Sequence, residues 1–351
     1  MFTTLYLVTA YFIYLKLREA NINPKYSKIF MSINIFIALN FLSALFFGKY
    51  YPGRSNEIIY ATAFTCIIIS ILGFFAFLGV NILTGFNNKT FTTNKILISC
   101  ALTFIASVYC MAEAYFVTPK FTEIKTNKIN SQKIRLVCMS DIHFGGIYTR
   151  WHFDRVMKIL NELKPDILIL LGDTIDGDMT FRNYELKLLE DAAKNSKYGA
   201  YAINGNHEYY HIYDQDVENI IRERGFKYLI DERDEIKTEN IAVIGLDDKK
   251  SGWLRPYLKA GDENKFILIL KHRPGLTHDA NNNFDLQLSG HTHAGQFWPL
   301  RYLKNLEDHS AQGLSHKAGG LVYVSNGTGF NGPAMRLFAP PEISVIDLVK
   351  N

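Results

Sequence analysis

Three long stretches with almost no charged residues dominate the first third of the chain: Ile29–Phe47, Ile58–Leu83 and Ile96–Val117. Each is close to or above the ~20 apolar residues that a helix needs to cross the hydrocarbon of a bilayer. Buried helices of a soluble protein would show a polar face, and these stretches show none. The sequence therefore predicts a transmembrane anchor at residues 1–117, with Met1–Leu15 as a fourth, shorter candidate span.

The net charge of the chain is +4, and it is unevenly distributed. Residues 1–120 contain nine Lys or Arg against three acids, whereas the remainder has a small acidic excess. Basic residues that flank apolar spans are typical of membrane loops, and no basic stripe interleaved with aromatic residues indicates a nucleic-acid site. We therefore expect a lipid bilayer, and no nucleic acid, as a partner.

The distribution of basic residues also bears on orientation in the membrane. The loop Lys16–Lys28 has four of them and is expected to face the cytoplasm. Alternation of the spans then places the rest of the chain outside. Because five further basic residues follow the last span, between Lys120 and Arg135, the opposite placement stays open. We expect a multi-pass protein of the cell membrane, with the outward placement favoured by alternation alone.

From residue 133 onward, apolar runs typical of strands alternate with helical segments. The predicted helices Thr149–Leu163, Asn183–Asn195 and Tyr213–Arg224 separate the early strands, and few helices separate the later ones. This pattern predicts an α/β fold with two packed sheets, the later one mixed, flanked by helices. The predicted boundaries are 1–117 for an all-α transmembrane region, 118–132 for a polar linker and 133–351 for a second domain.

Side chains that can bind metals follow five of the predicted strands. These strands are Ile134–Met139, Ile167–Leu171, Ala200–Ile203, Phe266–Leu270 and Phe284–Leu288. The candidate donors after them are, in chain order, Asp141 and His143, then Asp173, Asn206, His272, His291 and His293. Strand ends are where α/β folds place their chemistry, and carboxylate, imidazole and amide donors suit Mn, Fe, Zn or Mg. The ordered set therefore predicts a metal site.

The spacing inside two motifs predicts how donors share ions. On an extended segment, residues i and i+2 point the same way, so Asp141 and His143 can reach one ion. By the same reasoning, His291 and His293 lie on one side of their segment, where each can bind a different ion. A D-x-H tripeptide alone is weak evidence, and the prediction depends on the whole ordered set.

Two further residues have predicted roles of their own. Asp173 follows a glycine that permits a sharp turn, and its carboxylate can bridge two ions about 3.5–4 Å apart. Asn206 offers a neutral amide oxygen to the same site. The next residue, His207, would point elsewhere, toward a leaving group, where a protonated imidazole can act as general acid.

The ordered motifs resemble those of the calcineurin-like metallophosphoesterases, and the similarity covers residues 133–348. The matching motifs are D-x-H at 141, GD at 172, GNHE at 205, KHRP at 271 and GHTHAGQ at 290. The late runs NGTG at 326 and GPAMRL at 332 resemble a subgroup with amino-terminal transmembrane helices before one phosphoesterase domain. The resemblance implies a four-layer α/β sandwich and a metal-dependent phosphoric ester hydrolase.

The resemblance also implies two divalent metal ions and a role for each matching residue. A metal-bridging hydroxide would attack the phosphorus, and His207 would assist the leaving group. Asp141, His143 and His293 would hold one ion, Asn206, His272 and His291 the other, and Asp173 would bridge both.

Several residues near these motifs have open roles. Asp176 could orient a ligand or cap a turn, and Arg336 could contact a substrate phosphate or pair with Glu342. Trp298 could wall the site or pack beneath it. Three histidines lie in polar loops, where exposure to solvent is a simpler interpretation than contact with a substrate. They are His211, His309 and His316.

A membrane anchor joined to such a site predicts that the protein hydrolyses a phosphodiester or pyrophosphate bond. The substrate would be a phosphorylated small molecule or lipid in which that bond joins a lipid or a nucleotide. The resemblance makes a UDP-diacylglucosamine-type substrate a candidate. One alternative is a catalytically silent metal-dependent binding or scaffolding module at the membrane. Another is a transporter with a regulatory hydrolase domain, which the absence of charges in the middle of the spans disfavours.

Overall fold

The computed structural model describes residues 2–19, 23–48, 54–84, 93–144, 150–174, 183–209, 217–249, 253–276, 284–298, 300, 302, 312–317 and 319–351. The chain divides into two compact units. The helical unit consists of Met1–Ala112 with Gly332–Met335, and the sheet unit consists of Glu113–Asn331 with Arg336–Asn351.

The apolar stretches of the sequence form long helices. The four helices are α1 (Phe2–Glu19), α2 (Pro24–Gly48), α3 (Arg54–Thr84) and α4 (Thr93–Tyr115). Three segments in them are long and apolar enough to cross a membrane: Pro24–Ala44, Ile58–Thr84 and Asn94–Tyr115. The helices α1, α2 and α3 share a small core around Tyr6, Phe41 and Ile67. Large apolar side chains such as Leu83 and Phe104 remain exposed, as is typical of helices whose outer surface faces lipid.

The sheet unit contains two six-stranded sheets. The first has the order β1 (Thr118–Lys125), β12 (Glu342–Val349), β2 (Lys133–Met139), β3 (Ile167–Leu170), β4 (Ala200–Ala202), β5 (Phe226–Tyr228). The second has the order β10 (Gly313–Lys317), β11 (Gly320–Val324), β9 (Leu286–Ser289), β8 (Phe266–Lys271), β7 (Ile241–Leu246), β6 (Glu232–Ile236). Both sheets combine parallel with antiparallel pairs, so the prediction of a mixed later sheet is confirmed.

The two sheets pack against each other because the side chains of a strand alternate between its faces. In β2, Leu136 points into a core shared with Val243 and Leu268 of the second sheet, whereas Val137 points to the opposite face. That opposite face is covered by α5 (Arg150–Leu163), α6 (Asn183–Lys194) and α7 (Val217–Glu223). Burial on both faces explains why these strands read as unbroken apolar runs.

The structure differs from the predicted elements in three places. The segment 118–132, predicted as a linker, contains β1, which pairs with β12 from Thr118 and Glu342 through to Lys125 and Val349. The strands β6 and β10 were not predicted, because both lie at the edge of the second sheet and are largely polar. The outer face of that sheet packs against Leu254 and Tyr257 of a short 3₁₀ turn, and no α-helix covers it in the described residues.

Candidate metal centre

All of the predicted site residues lie just beyond the carboxyl ends of strands. The strands β2, β3 and β4 are parallel neighbours in the first sheet, and β8 and β9 are parallel neighbours in the second, so their ends come together at one edge of each sheet. Asp141 and His143 follow β2, Asp173 follows β3, Asn206 and His207 follow β4, His272 follows β8, and His291 and His293 follow β9.

Asp141, His143 and His293 form the first donor group, in which one ligand atom from each residue lies within 4.8 Å of the others. His143 Nε2 and His293 Nε2 are 3.0 Å apart, and the two rings stack with their centroids 5.0 Å apart. His293 Nε2 lies 3.4 Å from Asp141 Oδ1. Since all three residues are buried, their nitrogen and oxygen atoms face one another rather than solvent.

Asp173, His272 and His291 form the second donor group, again with ligand atoms within 4.8 Å of one another. His272 Nε2 lies 3.1 Å from Asp173 Oδ2. The same Oδ2 atom is 4.0 Å from His143 Nε2 and 4.0 Å from His207 Nε2. The carboxylate of Asp173 therefore lies between the two donor groups and beside the predicted general acid.

Asn206 lies directly before His207, and its side-chain oxygen supports a fit to a cation. Asn206 Oδ1 is buried and has no hydrogen-bond partner in the described part of the chain. A buried amide oxygen without a partner is costly, and a bound cation would satisfy it. The complete set of carboxylate, imidazole and amide donors also matches the ligand preference of Mn, Fe or Zn. These residues therefore fit a metal.

The backbone at the donors corrects the geometry that the spacing predicted. Asp141, His143, Asp173, His291 and His293 all have φ between 50° and 70°. Their segments are therefore turns in the left-handed region, and the prediction that extended i, i+2 pairs align the donors is wrong in this detail. Asp and His tolerate this region better than most residues, and such conformations cluster at functional sites. The sharp turns bring the donors together.

The sequence itself has relatives among proteins named as metallophosphoesterases. A family model described as calcineurin-like phosphoesterase matches residues 134–295. An uncharacterized metallophosphoesterase of Aquifex aeolicus is 32% identical over 255 residues, which cover 70% of this chain and 96% of that protein. The chain belongs to the calcineurin-like metallophosphoesterase family. It is therefore a metal-dependent phosphoric ester hydrolase with the mixed α/β sheets of that fold.

Other relatives extend beyond the aligned region. An uncharacterized metallophosphoesterase of Campylobacter jejuni is 32% identical over 253 residues, 69% of this chain and 66% of that protein. A transmembrane protein with metallophosphoesterase domain from Danio rerio is 30% identical over 282 residues, 72% of this chain and 62% of that protein. The alignments thus cover slightly less than two thirds of these two relatives.

Glu208 is the one polar side chain of the GNHE motif to which the sequence assigned no role. Its carboxylate accepts hydrogen bonds from the amides of Asp173 (3.0 Å), Thr174 (2.7 Å) and Gly205 (2.7 Å). It therefore joins the loop after β3 to the loop after β4. A Cβ atom at Gly205 would lie only 2.9 Å from Asp173 Cγ, so a glycine there lets these two loops approach. Glu208 positions the loop of Asp173 in this metallophosphoesterase without belonging to either donor group.

Arg336 is fully buried beneath the first donor group. Its hydrogen bonds in the described structure go to backbone carbonyls and to His293, and the charge of Glu342 acts on it without a hydrogen bond. The guanidinium donates to the carbonyls of Gly329 (2.6 Å), Ala339 (2.8 Å), Asn326 (2.9 Å) and His293 (3.2 Å). Its Nη2 atom also lies 3.1 Å from His293 Nδ1. Arg336 thus joins the NGTG run to the turn that contains His293.

Electrostatics distinguish the two donor groups. Burial raises the pKa of the Asp141 carboxyl, and the charge of Asp173 adds to that increase. Burial opposes a charge on His272, yet the carboxylate of Asp173 raises the pKa of His272 to about 10. Burial and the neighbouring His143 lower the pKa of His293 well below its usual value. The second donor group therefore favours positive charge, and the first presents a neutral imidazole.

The remaining residues with open roles contribute less. His316 is exposed on β10, as predicted, and Trp298 is 45% exposed two residues beyond Gln296, so it is not packed into the core. Asp176, His211 and His309 lie outside the described residues.

Proposed function

We propose that the protein is a membrane-anchored phosphoesterase that uses two divalent metal ions to hydrolyse a phosphodiester or pyrophosphate bond. The observation that carries this proposal is the position of Asp173, whose carboxylate lies within 4.8 Å of potential ligand atoms of both His143 and His207 on one side and His272 and His291 on the other. In the proposed assignment, Asp141, His143 and His293 would hold one ion, Asn206, His272 and His291 would hold the other, and Asp173 would be a ligand of both. When bound, such a pair activates water and neutralises negative charge on the phosphoryl group.

The chain's own side chains supply the remaining chemistry. The backbone amide of His207 donates to Asp173 Oδ1 (2.8 Å), which fixes the residue beside the shared carboxylate. His207 is only half-buried, so its ring can reach a bound substrate. We assign it as the general acid that donates a proton to the leaving oxygen. Glu208 and Arg336 hold the loops in place but do not touch the reacting atoms.

The substrate class follows from the anchor. The helical unit has three segments with the length and composition of membrane spans, and the Danio rerio relative is named as a transmembrane protein. A membrane anchor holds the enzyme near the bilayer, which favours an amphipathic phosphate as substrate. A lipid-linked or nucleotide-linked diester or pyrophosphate, such as a UDP-diacylglucosamine-type lipid, is therefore the proposed substrate, with the catalytic domain on the outer side.

The test uses the full chain purified in detergent and loaded with Mn, Fe, Zn or Mg. Bis-p-nitrophenyl phosphate serves as a general diester, and a nucleotide-linked lipid is compared with the corresponding water-soluble nucleotide sugar. We expect turnover of the diester, and a higher kcat/KM for the lipid than for its soluble counterpart. Metal binding without turnover of any substrate would instead favour the scaffolding alternative. Equal use of the lipid and the soluble compound would contradict the substrate class alone.

A further inference from the structure

Asn331 lies next to the ring of His207, although 124 residues separate them in the sequence. Asn331 Nδ2 is 3.3 Å from His207 Nε2. The same nitrogen of His207 lies 4.0 Å from Asp173 Oδ2, so it is the ring atom that faces the donor groups. Asn331 does not belong to any of the donor groups, and neither the motif set nor the predicted ligand roles includes it.

The position of Asn331 is set by Gln296. The Asn331 backbone amide donates to Gln296 Oε1 (3.0 Å), and Gln296 Nε2 donates to the Asn331 carbonyl (3.0 Å), so one side chain pairs with both backbone groups of one residue. Gln296 is buried and has φ of 55°, three residues after His293. Its own amide donates to the His293 carbonyl (2.8 Å). The turn that carries a metal-type histidine therefore also fixes Asn331.

We propose that Asn331 is a positioning residue for His207, and that Gln296 is the residue that holds Asn331 in place. This inference rests on the proposed function, in which His207 is the general acid. The contact between Asn331 Nδ2 and His207 Nε2 limits rotation of the imidazole. The edge of the ring that carries Nε2 therefore stays turned toward the donor groups.

The proton balance of the step is simple. As the bond between phosphorus and the leaving oxygen breaks, its electron pair stays on that oxygen, and the proton of His207 Nε2 moves to it. The imidazole becomes neutral and later regains a proton from water. A ring that is free to rotate would spend less time with Nε2 near the leaving oxygen, so loss of Asn331 should slow this step without disturbing the metal donors.

Leaving-group dependence separates positioning of the acid from a general loss of structure. A phenoxide is more basic than a nitrophenoxide and depends more on protonation as it leaves. We expect Asn331→Ala to lower kcat for bis-phenyl phosphate roughly tenfold, as removal of a supporting partner commonly does, with a much smaller loss for bis-p-nitrophenyl phosphate. Gln296→Ala should show the same split. KM and metal content should stay unchanged.

A double-mutant cycle tests whether Asn331 acts through His207. In a His207→Ala background, Asn331→Ala should have no further effect on kcat for bis-phenyl phosphate. Asn130→Ala is the matched control, since Asn130 precedes β2 and its amide bonds the Thr238 carbonyl at the end of the sheet away from the donors. Equal losses on both diesters, or full additivity with His207→Ala, would overturn the inference while leaving the proposed function intact.

A measurement without turnover keeps the inference testable if no substrate is hydrolysed. In protein with ¹⁵N-labelled histidine, the ring signals of His207 can be assigned by their loss in His207→Ala. Asn331→Ala should shift them, because a hydrogen bond to Nε2 changes its shielding, while exposed His316 should not move. Unchanged His207 signals would refute the positioning role whatever the activity.

Discussion

The two donor groups differ in how the protein sets the protons of their histidines. In the second group, His272 Nδ1 lies 2.7 Å from the carbonyl of Leu171, which can only accept, so Nδ1 carries a proton and Nε2 faces the Asp173 carboxylate. In the first group, His293 Nδ1 lies 3.1 Å from Arg336, which can only donate. That contact favours a proton on Nε2, the nitrogen that faces Asp141.

The protonation of the histidines therefore favours metal binding more in one donor group than in the other. In the second group Nδ1 already carries its proton, and the Asp173 carboxylate that raises the pKa of His272 also attracts a cation, which can replace the proton on Nε2. His293 must move its proton to Nδ1, toward the guanidinium, which costs free energy because two donors then face each other. The nearby charge of Arg336 also repels a cation. We therefore expect the second donor group to bind its ion more tightly than the first.

Removal of the shared carboxylate should have the largest effect. Asp173→Ala takes a ligand from both groups, so we expect loss of both ions and a fall in kcat/KM of at least ~10⁴-fold, the scale seen when residues act as a unit. Elemental analysis and diester turnover measure the two effects. Exposed Glu123 on β1 supplies a control, Glu123→Ala, that should keep both ions. Retention of one full equivalent of metal by Asp173→Ala would argue against a bridging role.

His207→Ala should separate chemistry from metal binding. Its Nε2 atom is 4.0 Å from Asp173 Oδ2, and the residue is not among the proposed ligands. We expect both ions to stay bound while kcat falls roughly 10²- to 10⁴-fold, the usual contribution of a general acid. The measurements are metal content and kcat on one sample. If metal is lost in parallel with rate, His207 is a ligand, and the division into two donor groups must be redrawn.

The strands that support the site could be predicted because they are buried on both faces. The apolar runs of β2 and β3 match the structure to within one residue. The edge strand β6 could not be predicted in this way, because its sequence ERDEI is held by ion pairs such as Arg233 with Asp262 rather than by apolar alternation. Likewise, β1 is exposed and polar along most of its length, and only its pairing with β12 makes it a strand.

For the site, the sequence was enough to predict which residues are candidate metal donors. It was not enough to predict which other residues hold those donors in place. Glu208 binds the amide of Asp173 across 35 residues, and Asn331 reaches His207 across 124. Such contacts depend on how loops from different strands meet, and no local pattern encodes them. The proton position on His272 depends in the same way on the carbonyl of Leu171, which is 101 residues distant.

Arg336→Lys should affect only the first donor group. Lysine keeps the positive charge but cannot reproduce the several directed hydrogen bonds that the guanidinium makes to Gly329, Asn326 and His293. Loss of the hydrogen bonds that hold the His293 turn should outweigh the relief of the unfavourable contact at Nδ1. We therefore expect the lower-affinity step of a metal titration to weaken roughly 10- to 100-fold, the usual effect of removing a partner that orients a ligand. The tighter step, assigned to His272 and its neighbours, should not change. Equal weakening of both steps would show that Arg336 supports the whole site.

The smallest expected effect lies away from both donor groups, in the buried ion pair of Arg233 and Asp262 on the second sheet. Burial would raise the pKa of Asp262, but hydrogen bonds from Arg233 and from the Lys259 amide lower it below the usual value of 3.8. A carboxyl with a lowered pKa stabilises the fold above its unfolded pKa, and that stability is lost as the pH falls through the folded value. Asp262→Asn should therefore destabilise β6 and β7 by ~2 kcal/mol at neutral pH.

Hydrogen exchange of the β6 and β7 amides, compared between the wild type and Asp262→Asn across pH, measures this difference in stability. It should be constant from neutral pH down to about 5 and should shrink below about pH 4, where the Asp262 carboxyl of the unfolded chain becomes protonated before that of the folded protein. Metal content should not change in either protein at neutral pH, because neither Arg233 nor Asp262 contacts a donor in the described structure. A difference that persists unchanged in acid would mean that the aspartate acts by packing rather than by its charge. Loss of metal in Asp262→Asn would mean that the second donor group depends on the edge of its sheet.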